Sequence, residues 1–156
     1  FKAVVGLDCE WCPPWFREKS APERINTIQL YSPHADALIL SITDLDALPA
    51  QLVDLFADPR IAKVGVNIGG DGARIARDFG CHVNGLVNVA TGHKGKKSMQ
   101  DLCKAFCPSS FHIDKDSVEN GVRMGNWAAW PLSELQIKYA AMDACLSFAI
   151  FLYRNK

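Results

Sequence analysis

One carboxylate limits what this chain can become. Asp143 is the only charged side chain between Lys138 and Arg154, inside the stretch Tyr139-Ala-Ala-Met-Asp-Ala-Cys-Leu-Ser-Phe-Ala-Ile-Phe-Leu-Tyr153. Leu135, Tyr139, Met142, Leu146, Ala149, Ile150 and Tyr153 recur at helical spacing, and most residues between them are apolar too. A helix apolar nearly all round belongs in a core, where an unpaired carboxylate costs several kcal/mol. No basic residue stands near Asp143 in sequence to balance it, so a metal ion is the obvious counter-charge.

Two further acidic positions have the same character. Phe1-Lys-Ala-Val-Val-Gly-Leu7 reads as a short buried strand that runs into Asp8-Cys-Glu-Trp11. Side chains alternate along a strand, so Asp8 and Glu10 share a face at its carboxyl end. Like charges at that separation raise each other's pKa unless a cation sits between them; the plainer alternative is a strand end fraying into solvent. Pro59 to Val66 predicts another strand, entering Asn67-Ile-Gly-Gly-Asp71-Gly, with a helix over 72–79 that stops at Gly80. Asp71 is thereby expected in the strand-to-helix turn, where open α/β sheets place ligands. An acid beside a helix N-terminus is also a common cap.

The element order gives the fold class. Strands are expected near 2–9, 25–31, 36–42, 61–66 and 85–89, and helices near 49–57, 72–79 and 98–106, with a final helix starting near Pro131 or Leu132. Three antiparallel strands followed by alternating helix and strand make an α/β fold, a mixed five-stranded sheet with helices on both faces. With 156 residues, 49% of them hydrophobic and 22% charged, the chain is expected to form one compact domain. It begins inside a strand without an initiator methionine, as a domain cut from a longer protein would. The Tyr139–Tyr153 stretch is too short for a membrane span and is interrupted by Asp143.

The combination of motifs is more specific than any part. Asp-x-Glu after the first strand, Asn-x-x-x-Asp after a later strand and Tyr-x-x-x-Asp on a late buried helix occur in that order. This resembles the DEDD superfamily of 3′–5′ exonucleases, in its tyrosine-containing subgroup, and within that the exonuclease domain of the Werner syndrome protein and RNase D-like proteins. The stretches carrying the likeness are Val4–Trp11, Lys63–Asp71 and Asn126–Ala144, and Ile25–Leu30 suits the family's second strand. Gly70 is a departure, since many DEDD enzymes carry an aromatic before the acid.

The resemblance implies an RNase H-like sheet with the first strand central. It also implies a catalytic set of Asp8, Glu10, Asp71, Tyr139 and Asp143, whose four acids would hold two divalent cations, Mg²⁺ or Mn²⁺. Asp8 would bridge both ions, Glu10 and Asp143 would hold the first, and Asp71 would help position the second. Tyr139 lies four residues before Asp143, so both face the same way from one helix, and its hydroxyl would orient the attacking water. The implied substrates are DNA or RNA 3′ ends, with a fused or associated helicase or other domain as a partner and an intracellular setting, the nucleus foremost.

Two long loops are candidate substrate contacts. Cys12 to Arg24 carries Trp15, Phe16, Arg17 and Lys19, and Cys107 to Trp130 carries Arg123, Trp127 and Trp130. Rings for bases and charges for phosphates suit a single-stranded nucleic-acid groove, although Trp127 and Trp130 would equally serve folded back onto the core. Trp11, Asn67, Arg123, Trp127 and the basic Lys97 are the expected substrate-binding residues. Lys plus Arg and Asp plus Glu both total 17, so bound cations would have to supply much of the attraction for phosphate.

Other readings stand beside this one. Cys9 and Cys12, with Cys103 and Cys107, would make a zinc site if the two pairs met. Gly65 to Gly72 superficially resembles a nucleotide-binding loop but lacks the Gly-x-Gly-x-x-Gly spacing. A catalytically inactive nuclease-like domain that binds nucleic acid or protein is the third; it would typically have lost one of the acids.

Overall fold

Alternating side chains in Ala3–Trp11 build β1 at the centre of a five-stranded sheet. The computed structural model describes residues 1–95, 98–111 and 119–156, without the side chains of 119 and 120. β2 (Ile25–Tyr31) pairs antiparallel with β1, and β3 (Leu38–Ser41) antiparallel with β2. β4 (Ile61–Gly65) lies parallel to β1 on its other side and β5 (Leu86–Asn88) parallel to β4, giving the order β3-β2-β1-β4-β5. The helices are α1 (Ala50–Ala57), α2 (Gly69–Phe79), α3 (Met99–Phe106), α4 (Glu119–Val122) and α5 (Glu134–Arg154).

The sheet divides the core in two. Leu7, Cys9 and Ile28 cluster with Phe56 of α1 and Ile75 of α2. Ala62 and Val64 cluster instead with Leu102 of α3 and with Leu146, Ala149 and Ile150 of α5. Helices therefore cover both faces, as the element order requires. On β1 the even positions turn toward α5, and this close packing depends on one glycine. A Cβ placed on Gly6 would lie 1.9 Å from the Ala144 carbonyl oxygen, so only hydrogen at that position lets α5 lie this close to the sheet.

Two helix starts differ from the sequence expectation. α2 begins at Gly69 rather than 72, because Asn67 takes the left-handed conformation (φ 56°) and turns the chain before the two glycines. Asp71 is consequently inside the first turn of the helix and not in the connecting turn. α5 begins at Glu134, not at Pro131 or Leu132, because Ser133 and Gln136 form a reciprocal capping box. Leu135 is exposed rather than core-facing, since the buried part of α5 begins only at Tyr139. At 21 residues α5 is long and apolar enough to cross a membrane by length and composition alone, which the shorter apolar stretch did not suggest. Here it packs against β1 and the second core cluster.

Candidate active site

Asp8 and Glu10 project from β1 on the side facing α5, and Asp143 sits on α5 next to Ala144, the residue that touches Gly6. The backbone approach at Gly6 thus sets the distance between the two sources of acid. One oxygen from each of Asp8, Glu10 and Asp143 lies within 4.8 Å of the other two. Oxygens sharing one divalent cation at 2.0–2.6 Å lie up to about 5 Å apart, so this donor set fits such an ion. Hard carboxylate oxygens favour Mg²⁺ or Mn²⁺ over thiophilic metals.

Tyr139 completes this wall from one turn earlier on α5. Burial raises its pKa above the ordinary phenol value, and the charges of Asp143 and Glu10 and a hydrogen bond with Asp143 push it further the same way. The hydroxyl is therefore a fixed proton donor at neutral pH. Trp127 stands behind it, with ring centroids 6.1 Å apart and planes tilted by 50°. The Trp127 indole N–H donates to the Arg123 carbonyl at 3.1 Å, and the residue is only 1% exposed. This corrects the expectation that Trp127 contacts substrate: its ring has no open face for a base, and it supports Tyr139 from within the core.

The opposite wall belongs to α2. Asp71 is buried, and desolvation raises its carboxyl pKa to about 7, against the smaller lowering effects of its own backbone N–H and of Arg74. It is not among the three clustered acids and faces them across the cavity. Arg74, one helical turn on, lays its guanidinium 3.8 Å over the Trp11 ring and forms an ion pair with Glu23. Arg74 was not among the expected site residues; its i+3 spacing from Asp71 is the signal that would have found it.

These walls enclose a cavity of about 760 Å³. Asp8, Glu10, Asp71, Tyr139 and Asp143 all line it, as do Trp11, Asn67 and Arg123 from the expected substrate contacts. Lys97 lies outside the described residues. Gly70 also lines the cavity, and nothing stands within 4 Å of where its Cβ would be, so the missing aromatic leaves open space there.

Behind the acids runs a polar layer that sequence reasoning missed. Thr27 and Gln29 are the cross-strand partners of Glu10 and Asp8, so they point to the same side of the sheet. Both are fully buried, and the Gln29 amide donates to the Thr27 hydroxyl at 2.7 Å. Period-two reading of β2 would have placed these polar side chains on the acidic face.

The cysteines do not converge. Cys9, Cys12 and the Cys103–Cys107 pair belong to three separate core clusters. Burial, with Asp71 and the other acids adding to it, holds the Cys9 thiol well above its usual pKa and so against the thiolate that zinc requires. Cys12 instead donates to Asn126 Oδ1 at 2.9 Å and accepts from the Ala128 N–H at 3.1 Å, tying the segment around Trp127 to the end of β1.

A mixed sheet in this order, with an acidic cluster where β1 meets α5, is the RNase H-like exonuclease fold. The chain belongs to the 3′–5′ exonuclease domain family, whose model it matches over residues 2–153. It is 30% identical to a 3′–5′ exonuclease of Arabidopsis thaliana over 96% of its own length and 51% of that protein. It is also 30% identical to the mouse bifunctional 3′–5′ exonuclease/ATP-dependent helicase WRN, covering 95% of this chain and 10% of that one. The catalytic core of RRP6 from Trypanosoma brucei has the same fold, with a TM-score of 0.78 at 16% identity over 95% of this chain and 39% of that chain. The chain thus spans about half, or far less, of the length of these curated relatives.

Proposed function

We propose that this domain hydrolyses the terminal phosphodiester bond at the 3′ end of DNA or RNA strands and releases nucleoside 5′-monophosphates, with two divalent cations as cofactors. The observation that carries the reading is the meeting of three carboxylates within 4.8 Å on a cavity that also presents Tyr139 and Asp71. Asp8, Glu10 and Asp143 would hold one cation, with Asp8 shared toward a second that Asp71 helps to position. Bound there, divalent cations would supply a lowered pKa for a water and stabilisation of charge on the attacking and leaving oxygens.

The chain's own residues supply the rest. Tyr139 keeps its proton and gives it to Asp143 in a hydrogen bond, so its oxygen can accept from a water, which suits orienting that water better than abstracting a proton from it. Arg123 brings a cationic side chain of the cavity lining to meet phosphate, while Arg74, held by Trp11 and Glu23, adds its charge to the same lining. Thr27 and Gln29 keep the space behind Asp8 and Glu10 filled with polar atoms. The test is cleavage of a 5′-labelled single strand with Mg²⁺ or Mn²⁺. A ladder of products shortened from the 3′ end, lost in chelator, is the expected result. Full activity in chelator, or internal cuts on a circular single strand, would overturn it.

A further inference from the structure

Two large rings sit in water at the lip of the cavity. Trp15 is 64% exposed and Phe16 48% exposed, on a short 3-10 turn spanning Pro14–Phe16. The turn is ordered by its own backbone, with the Phe16 N–H donating to the Pro13 carbonyl at 3.0 Å and the Arg17 N–H to the Pro14 carbonyl at 3.2 Å. Arg17 then reaches across to the Ala21 carbonyl at 2.9 Å, closing the base of the loop. Pro13 and Pro14 are part of the cavity wall, so Trp15 begins about 3.8 Å of chain beyond it.

We propose that Trp15 and Phe16 form a stacking platform for the bases of a single strand lying 5′ of the nucleotides inside the cavity, which makes single-stranded ends of several nucleotides the preferred substrate class. The inference rests on the exonuclease reading and deepens it. A cavity of about 760 Å³ is of the size that encloses one drug-sized ligand, so it takes the end of a strand and leaves the remainder outside. Successive bases follow about 3.4 Å apart along a strand, and those leaving past Pro14 meet the two rings next. Every base has a π-face, so aromatic stacking tolerates any sequence. Arg17 and Lys19 follow in the same loop with Glu18 between them, which leaves the segment a net positive charge for phosphates to meet. An aliphatic protein-binding patch would not call for that pairing of rings and cations, and the continuity with the cavity wall favours the strand.

The experiment compares a dinucleotide with a single strand of about ten nucleotides, within the range that such grooves cover. Proteins compared are the unaltered chain, the double variant Trp15→Ala/Phe16→Ala, and Trp15→Phe. For the longer strand the double variant should raise KM by roughly five- to a hundredfold, the scale of one base–aromatic stack, with kcat unchanged. The dinucleotide should respond little, Trp15→Phe should recover most of the loss, and the salt dependence of binding should keep its slope, since no charge is removed. Equal losses on both substrates, or none on either, would overturn the platform while leaving the nuclease chemistry standing. Anisotropy of the labelled longer strand in chelator reads the platform without turnover. There, an unchanged Kd in the double variant overturns it and leaves the rings to a protein partner, whatever the cleavage assay returns.

Discussion

On the wall made by β1 and α5, three carboxylates crowd together under a backbone contact with no spare room; on the α2 wall, one carboxylate stands apart beside an arginine that is already occupied by Trp11 and Glu23. The first wall brings like charges together, and a cation bound there would relieve their repulsion. The second stores a desolvation cost, which is why burial is the leading cause of the upward shift at Asp71. A fold can hold acids at a site by either means, and the two respond differently to metal, to pH and to mutation.

The largest expected effect tests whether the α5 wall acts chemically. Tyr139→Phe keeps the ring against Trp127 and removes the hydroxyl, so kcat should fall roughly 10²–10⁴-fold with little change in substrate affinity. Near-normal turnover in steady-state assays would reduce Tyr139 to a core ring. Gly6→Ala tests the spacing of the same wall. The added methyl meets backbone rather than a pliable side chain, and overpacking of that kind costs about 3 kcal/mol, a fall in Tm of roughly 6–12 °C for a domain of this size. An unshifted melting curve would mean that α5 does not lie where the acids need it.

Asp143→Asn separates repulsion from structure. In chelator it should raise Tm, because one of three crowded negative charges is gone. Mn²⁺ at about 100 times its dissociation constant stabilises the unaltered protein by roughly 2.7 kcal/mol, and the variant should lose most of that gain. A lower Tm in chelator with an unchanged response to Mn²⁺ would reject the cluster. The last effect depends on pH and belongs to Asp71. Its folded pKa of about 7 exceeds the unfolded value near 3.9, so the folded state binds the extra proton between those limits. Stability in chelator should therefore decline as pH rises from about 4 to 7 and stay lower above that. Asp71→Asn removes this slope, so its Tm advantage should be absent near pH 4 and grow steadily up to about pH 7. A constant offset across the titration would place the cost elsewhere.

Much of the first wall was legible from sequence, because an isolated acid in an apolar helix and two acids at the end of a buried strand need a shared explanation. A mixed sheet with helices on both faces followed from the order of strands and helices, whereas the central place of the first strand came only from the family resemblance. The second wall was less legible. Asp71 was expected in the strand-to-helix turn ahead of a helix over 72–79, whereas the turn is made by the backbone of Asn67 and the helix already begins at Gly69. The stack of Arg74 on Trp11 joins residues 63 positions apart, beyond the reach of any local period. Trp127 misled in the other direction, since an aromatic in a loop with basic neighbours looks the same whether its ring faces water or Tyr139.

The loop bearing Trp15 is fastened at both ends. The Cys12 N–H donates to Asn26 Oδ1 at 2.8 Å, while at the far end Arg77 holds the Glu23 carbonyl at 2.7 Å and Asp78 accepts from the Ile25 N–H at 2.8 Å. Mechanically this is a strap buckled to the body of the domain at two points. Ordering a segment on a ligand costs conformational freedom in proportion to what was free beforehand. With the buckles closed, only the short span between them has freedom left to lose, so a strand settling on the strap as proposed would meet a surface already cut to length.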